Sequence, residues 1–226
     1  MIPLGDDVRR RGPYVATLVL IAANVVAFLL SAFYGVELTA ERSGFRPVYL
    51  LAHRRLETIL TSLFLHADIL HLAGNMVYLF IFGRSVEGRL GPLLLFLTYI
   101  ASGVAGALLH SAATFVLPPQ LARELVRPLI GASGAISGLL GAYTVFYPHA
   151  RVATLVPFYY ILVIRVPARF YVAAWFAYQL AVGLVGLRQP LQVAAWAHVG
   201  GFAAGAAIAL ALEGVTSTAR PRTRVA

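Results

Sequence analysis

The chain has 226 residues, of which 60% are hydrophobic and only 12% charged, with a mean hydropathy of +0.80. That balance excludes an ordinary soluble domain and points to an integral membrane protein of one compact domain with short tails. The net charge of +9 comes entirely from arginines in short loops and tails, which reads as membrane topology rather than nucleic-acid binding; the absence of cysteine removes disulfides, thiolate metal sites and a cysteine nucleophile.

In chain order, residues 1–13 read as a cytoplasmic N-terminal tail. An apolar stretch from Tyr14 to Phe33 follows "RRRG" and is long enough to cross a hydrocarbon core of ~30 Å as an uncleaved first helix. Residues 34–62, "YGVELTAERSGFRPVYLLAHRRLETILTS", mix apolar and charged residues and read as a structured outer loop that dips into the membrane. Further spans are expected over Leu63–Phe82, Pro92–Val116, Ser133–Tyr147, Ala168–Leu187 and Val193–Leu212, each bounded by Pro, Gly or Arg signals. Residues 214–226 read as a cytoplasmic C-terminal tail.

Six spans put both termini on one side. Arg9, Arg10, Arg11, Arg84, Arg89, Arg151, Arg165, Arg169, Arg220, Arg222 and Arg224 share it, against Arg42, Arg46, Arg54, Arg55, Arg123, Arg127 and Arg188 opposite. The larger arginine group marks the cytoplasm.

The fourth span carries "LIGASGAISGLLGAY" at 129–143. Its roughly 15 residues cover only about 22 Å at 1.5 Å per residue, so its outer end lies below the membrane surface. Irregular backbone is tolerated at that depth only beside protein or a water-filled cavity, which predicts a wet pocket around Ser133. Gly131, Gly134, Gly138 and Gly141 recur at three- and four-residue steps and give this helix a close-packing face. Ser133 stands at the helix start, where free N–H groups and the positive end of the helix dipole gather. Ser137, a turn deeper, reads as a packing serine bonded to the preceding turn.

The second span opens with "FLHADILHLAGNM", which places His66, Asp68, His71 and Asn75 near its outer end, with His71 and Asn75 on one face. The last span, "WAHVGGFAAGAAIAL", carries His198 near its outer end, followed by Gly201 and Gly205, which allow close approach to the glycines of the fourth span. The outer third of the bundle thus holds a serine at a helix start, a histidine able to act as its base, and donors suited to an oxyanion. His110, Asn24 and Gln179 carry no motif, so interhelical hydrogen bonding is the default for each, and His53 and His149 read as solvated loop residues. No HExxH or phosphate-binding glycine loop occurs, so neither a metal nor another cofactor is expected.

On these residues the chain resembles the rhomboid family of intramembrane serine proteases. "GASG" at 131–134 resembles its GxSG, "HADILHLAGN" at 66–75 its HxxxxHxxxN, "AHVGGFAAG" at 197–205 its AHxxGxxxG, and "VEGRLG" at 86–91 its VExRLG, in the family's order. The resemblance implies an all-α, six-transmembrane-helix bundle over residues 14–213. It implies Ser133 as nucleophile and His198 as general base, a dyad without an acidic third member. His71, Asn75 and the Ser133 backbone N–H would form the oxyanion hole. His66 would tie the second helix to the outer loop, Glu87 and Arg89 would anchor that helix's inner end, and Gly131, Gly134, Gly201 and Gly205 would support the site. The fifth helix and the loop around 188–193 would gate and cap it. Implied substrates are transmembrane proteins cut in or near a membrane segment, and the implied location is the plasma membrane. The alternative is a proteolytically inactive relative that binds membrane proteins. Two departures stand out: Ser137 occupies a position where many members carry tyrosine, and the Trp-Arg pair common in the first outer loop is missing, with "HRRLE" at 53–57 near its place.

Overall fold

The computed structural model describes residues 2–9, 13–157, 161–189 and 194–218. Among them six apolar helices form a bundle: α1 (Val15–Tyr34), α2 (Ile69–Leu90), α3 (Pro92–Phe115), α4 (Ser133–Phe146), α5 (Ala168–Gly186) and α6 (Ala195–Thr218). Five are long and apolar enough to cross a membrane. The exception is α4, with 14 residues, and every residue from Gly134 to Tyr143 in it is buried. A helix enclosed on all sides needs no polar face, which is why it reads apolar throughout.

Hydropathy expects the second span at Leu63–Phe82, whereas α2 runs Ile69–Leu90. The outer shift has a local cause: the Asp68 side chain accepts the backbone N–H of His71 at 2.8 Å and caps the helix there. Leu63, in a short 3-10 turn over Ser62–Phe64, and Leu65 just after it are buried ahead of the helix instead. At the inner end α2 is π-helical over Leu79–Gly83 and then continues through Arg84–Leu90. The charged end is accommodated because Glu87, itself buried, caps α1. Its carboxylate accepts from the backbone N–H groups of Ala16 and Thr17, both at 2.8 Å, and from Thr17 Oγ1 at 2.6 Å. The first turn of α1 has no capping side chain of its own, and a carboxylate placed there also meets the positive end of the helix dipole. Arg89 lies 3.9 Å from Glu213 of α6, so the inner end of α2 touches both the first and the last helix.

The helices α4 and α6 pack backbone to backbone. A Cβ on Gly201 would collide with the Gly134 carbonyl oxygen, and one on Gly205 with that of Gly138. Without a hydrophobic force between helices in lipid, such close approach supplies the attraction through dispersion.

Sequence reasoning missed a three-stranded antiparallel sheet at the inner end. β1 (Ile2–Asp6) pairs with β2 (Arg151–Pro157), which pairs with β3 (Ile161–Pro167), in the order β1-β2-β3. The register runs Ile2↔Leu155 to Asp6↔Val152, and Arg151↔Pro167 to Pro157↔Ile161. Asp6 accepts from Ser85 Oγ of α2 at 2.7 Å, and Asp7 Oδ1 accepts the Arg151 N–H at 2.8 Å. Within the stretch read as a tail, residues 2–6 are therefore a docked strand. The helix α6 likewise continues to Thr218, past the expected tail boundary at 214.

The outer loop is structured. A short helix, Val36–Ser43, leads to Phe45, wholly buried, whose backbone exchanges hydrogen bonds with Leu129. Where the Trp-Arg pair would stand, Arg46 and Arg55 lie over the Tyr49 ring. His53 and His149 are exposed. From residue 190 the expected cap loop lies outside the described residues, as do Arg10, Arg11, Arg220, Arg222 and Arg224.

Candidate active site

Three elements converge on Ser133. The segment before it is pinned by the Phe45–Leu129 pairing and by the Gly131 N–H, which donates to the Ser62 carbonyl at 2.9 Å. Gly131 has φ +124, a conformation that side chains other than glycine resist, and a Cβ there would sit 2.9 Å from His71 Cε1. Two independent reasons thus demand glycine at this turn, and α4 begins directly beyond it at Ser133.

Ser133 Oγ lies 2.8 Å from His198 Nε2, and His198 Nδ1 lies 2.8 Å from Gln179 Oε1 of α5. Ser133 and His198 are brought together by the α4–α6 glycine contact, which fixes the height of one helix against the other.

Opposite them, α2 presents His71 and Asn75 to the same cavity, of about 570 Å³, which Ser133, His198, His110 and Gly131 also line. The Ala67 N–H points to His71 Nδ1 at 3.5 Å, and His71 Nε2 is the nitrogen beside Gly131. Asn75 is buried, and its Nδ2 makes no hydrogen bond to the described residues. Both line the cavity beside Ser133. His66 packs edge-on against the His71 ring, centroids 5.0 Å apart, and is 1% exposed. Burial, and His71 beside it, push its pKa down to about 4.

Ser137 is buried, and its Oγ donates to the Ser133 carbonyl at 2.6 Å, one turn back along α4. The aromatic neighbour of His198 is instead Trp175 of α5, with ring centroids 6.1 Å apart. Trp175 was not singled out by the sequence, whereas Gln179 makes the interhelical hydrogen bond expected of it, to His198. Gln179 stood out as a polar residue in an apolar span, but its partner lies on another helix and no local pattern names it. Among the described residues no three His, Cys, Asp or Glu side chains converge so as to hold a metal ion.

A rhomboid domain model matches residues 53–214, most of the chain. The chain belongs to the rhomboid family. It is 38% identical over 100 residues to Rhomboid protein 1, mitochondrial, of Saccharomyces cerevisiae, a match covering 44% of this chain and 28% of that protein. Against Rhomboid protease GluP of Bacillus subtilis it is 34% identical over 136 residues, 59% of this chain and 25% of the relative. It is also 34% identical over 88 residues to Inactive rhomboid protein 1 of Drosophila melanogaster, 39% of this chain and 6% of that one. The chain thus matches well under half the length of each of these relatives. It is a multi-pass membrane protein. The expected plasma membrane finds no support, since the yeast relative is named mitochondrial.

Proposed function

We propose that this rhomboid is an intramembrane serine endopeptidase acting on transmembrane proteins. The observation that carries the reading is the 2.8 Å contact between Ser133 Oγ and His198 Nε2 at a helix start within the bundle. As Oγ attacks the scissile carbonyl carbon, its proton passes to His198 Nε2, and the carbonyl oxygen becomes an oxyanion. The Ser133 N–H, free at the first turn of α4, His71 Nε2–H and Asn75 Nδ2 are available to receive that charge. Collapse breaks the C–N bond, the leaving nitrogen takes the proton from His198, and an ester on Ser133 remains. Water entering the cavity then attacks the ester, again giving its proton to Nε2, and restores Ser133 as the carboxyl product leaves.

His66, packed on His71, and Gly131, shaped to admit that ring, serve in this reading to hold the donor. Gly134, Gly201 and Gly205 hold the two catalytic helices in register. Glu87 and Arg89 brace the inner ends. The arginine distribution supports cytoplasmic termini, with the sheet and the Arg84, Arg89 and Arg151 group on the inner side and the cavity opening outward. The membrane domain spans residues 14–213.

A second reading, an inactive relative that binds membrane proteins, is favoured by the Drosophila likeness alone. Incubating purified protein with a labelled transmembrane substrate, together with fluorophosphonate labelling and peptide mapping, decides between the two. Cleavage and a label on Ser133 are expected. A folded wild type that neither cleaves nor labels supports the inactive reading.

A further inference from the structure

A dyad leaves one question open: what decides which nitrogen of His198 carries the proton. Nε2 can accept from Ser133 only if the neutral ring is protonated on Nδ1. In hydrolases with a carboxylate beside the base, that acceptor sets the tautomer. Here no carboxylate among the described residues bonds His198: of the two that line the cavity, Asp68 accepts the His71 N–H and Glu124 meets Arg127. The atom at Nδ1 is Gln179 Oε1, at 2.8 Å, and the Gln179 side chain is buried, 5% exposed.

We propose that Gln179 is the positioning residue of the catalytic unit: its amide oxygen accepts the Nδ1–H of His198 and holds the ring with the Nε2 lone pair aimed at Ser133 Oγ. This rests on the endopeptidase reading for its consequence in rate, but not for the tautomer itself. A neutral amide fixes the orientation without adding a negative charge that would have to be buried in the membrane.

The placement on α5 has a second effect. Tyr171, Trp175, Gln179 and Gly183 recur every four residues and form one stripe along that helix. Each meets the bundle: the Tyr171 hydroxyl bonds that of Tyr78 at 2.7 Å, Trp175 stacks near His198, Gln179 bonds it, and the Gly183 carbonyl accepts from Trp196 Nε1 at 3.2 Å. Elsewhere α5 exposes Phe170, Tyr178, Leu184 and Val185. The orientation of the base therefore follows the seating of this one stripe.

Two variants separate the roles of the amide: Gln179→Leu removes the acceptor, and Gln179→Glu keeps an acceptor and adds a charge. The first readout is the ¹⁵N spectrum of histidine-labelled protein in detergent at a pH where the ring is neutral, with the His198 signals assigned by their loss in His198→Ala. The Nδ1–H tautomer is expected in wild type and in Gln179→Glu, and a mixture in Gln179→Leu. An Nε2–H ring in wild type, or no change in the leucine variant, overturns the proposal. The second readout is steady-state cleavage. In Gln179→Leu, kcat falls by a factor on the order of 10–10³, while KM stays within about twofold. In Gln179→Glu the rate is kept at alkaline pH, and the acid limb of kcat/KM moves to higher pH, because a carboxylate stabilises the imidazolium. Among the described residues, His71 of α2 and His110 of α3 act on His198, and Asp68, Glu124 and Arg127 line the same cavity; all are unchanged in every variant. Coincident profiles for wild type and Gln179→Glu overturn the proposal as well. If Gln179→Leu fails to fold, the glutamate profile carries the test. If wild type neither cleaves nor labels, the endopeptidase reading fails while the spectrum still decides the tautomer.

Discussion

The two ends of the bundle use polar residues in opposite ways. At the inner end they are saturated: the Glu87 carboxylate accepts three hydrogen bonds, Asp6 accepts from Ser85, and Asp7 accepts from Arg151. At the outer end they keep capacity in reserve. Asn75 Nδ2 has no partner among the described residues, the His71 ring faces the cavity, and the N–H groups of the first turn of α4 lie beside it. Buried polar groups are costly when unpaired, so donors with no protein partner are suited to an acceptor that enters the cavity, whether water or substrate. Saturation marks the end that holds the bundle together, and reserve marks the end where chemistry is proposed.

The same contrast separates two serines on one helix. Ser137 spends its hydroxyl on the Ser133 carbonyl, whereas Ser133 offers its own to an imidazole.

Five substitutions break or sharpen this comparison. The largest effect belongs to Ser133→Ala and His198→Ala, either of which is expected to abolish cleavage while the protein still folds. Fluorophosphonate labelling must vanish in the serine variant, and labelling that persists there but disappears in Ser137→Ala would reverse the assignment. Next comes Asn75→Ala, expected to slow cleavage by on the order of 10²–10³ without ending it, since one oxyanion donor is lost and others remain. Activity indistinguishable from wild type would show that its amide never meets the oxyanion.

At the saturated end the effect should fall on stability. Glu87→Ala strands two backbone donors and one hydroxyl at the start of α1, and about 2–4 kcal/mol of destabilisation is expected. Reversible unfolding in mixed detergent measures it, with kcat per folded molecule as the control. A variant as stable as wild type but inactive would erase the distinction between the two ends. The smallest effect is that of Ser137→Ala, which loses one buried hydrogen bond, worth about 1 kcal/mol, and should keep substantial activity.

Much of the candidate site is legible in the sequence. Hydropathy is summed over neighbours in the chain, so the six spans could be read directly, and the shortness of the fourth already pointed to a sunken end. The i, i+4 spacing of His71 and Asn75, and of Gly201 and Gly205, is a property of one helix, so it too was readable. What the sequence determined alone was whatever is periodic within an element or carried by a contiguous motif: the spans, the glycine faces, and the Ser133, His198, His71 and Asn75 constellation.

What only the tertiary structure decided involves partners far apart in the chain. The Glu87 carboxylate meets Thr17 across 70 residues, and the strand at Ile2–Asp6 pairs with residues 152–155, far along the chain. The β2 and β3 runs were apolar enough for strands but lay between spans, where a window tuned to membrane helices reads only a loop. Gln179 shows the limit most clearly. A buried amide must find a partner, and local spacing says that it needs one. Which one it finds depends on how α5 sits against α6, a contact made by packing surfaces that no segment contains on its own.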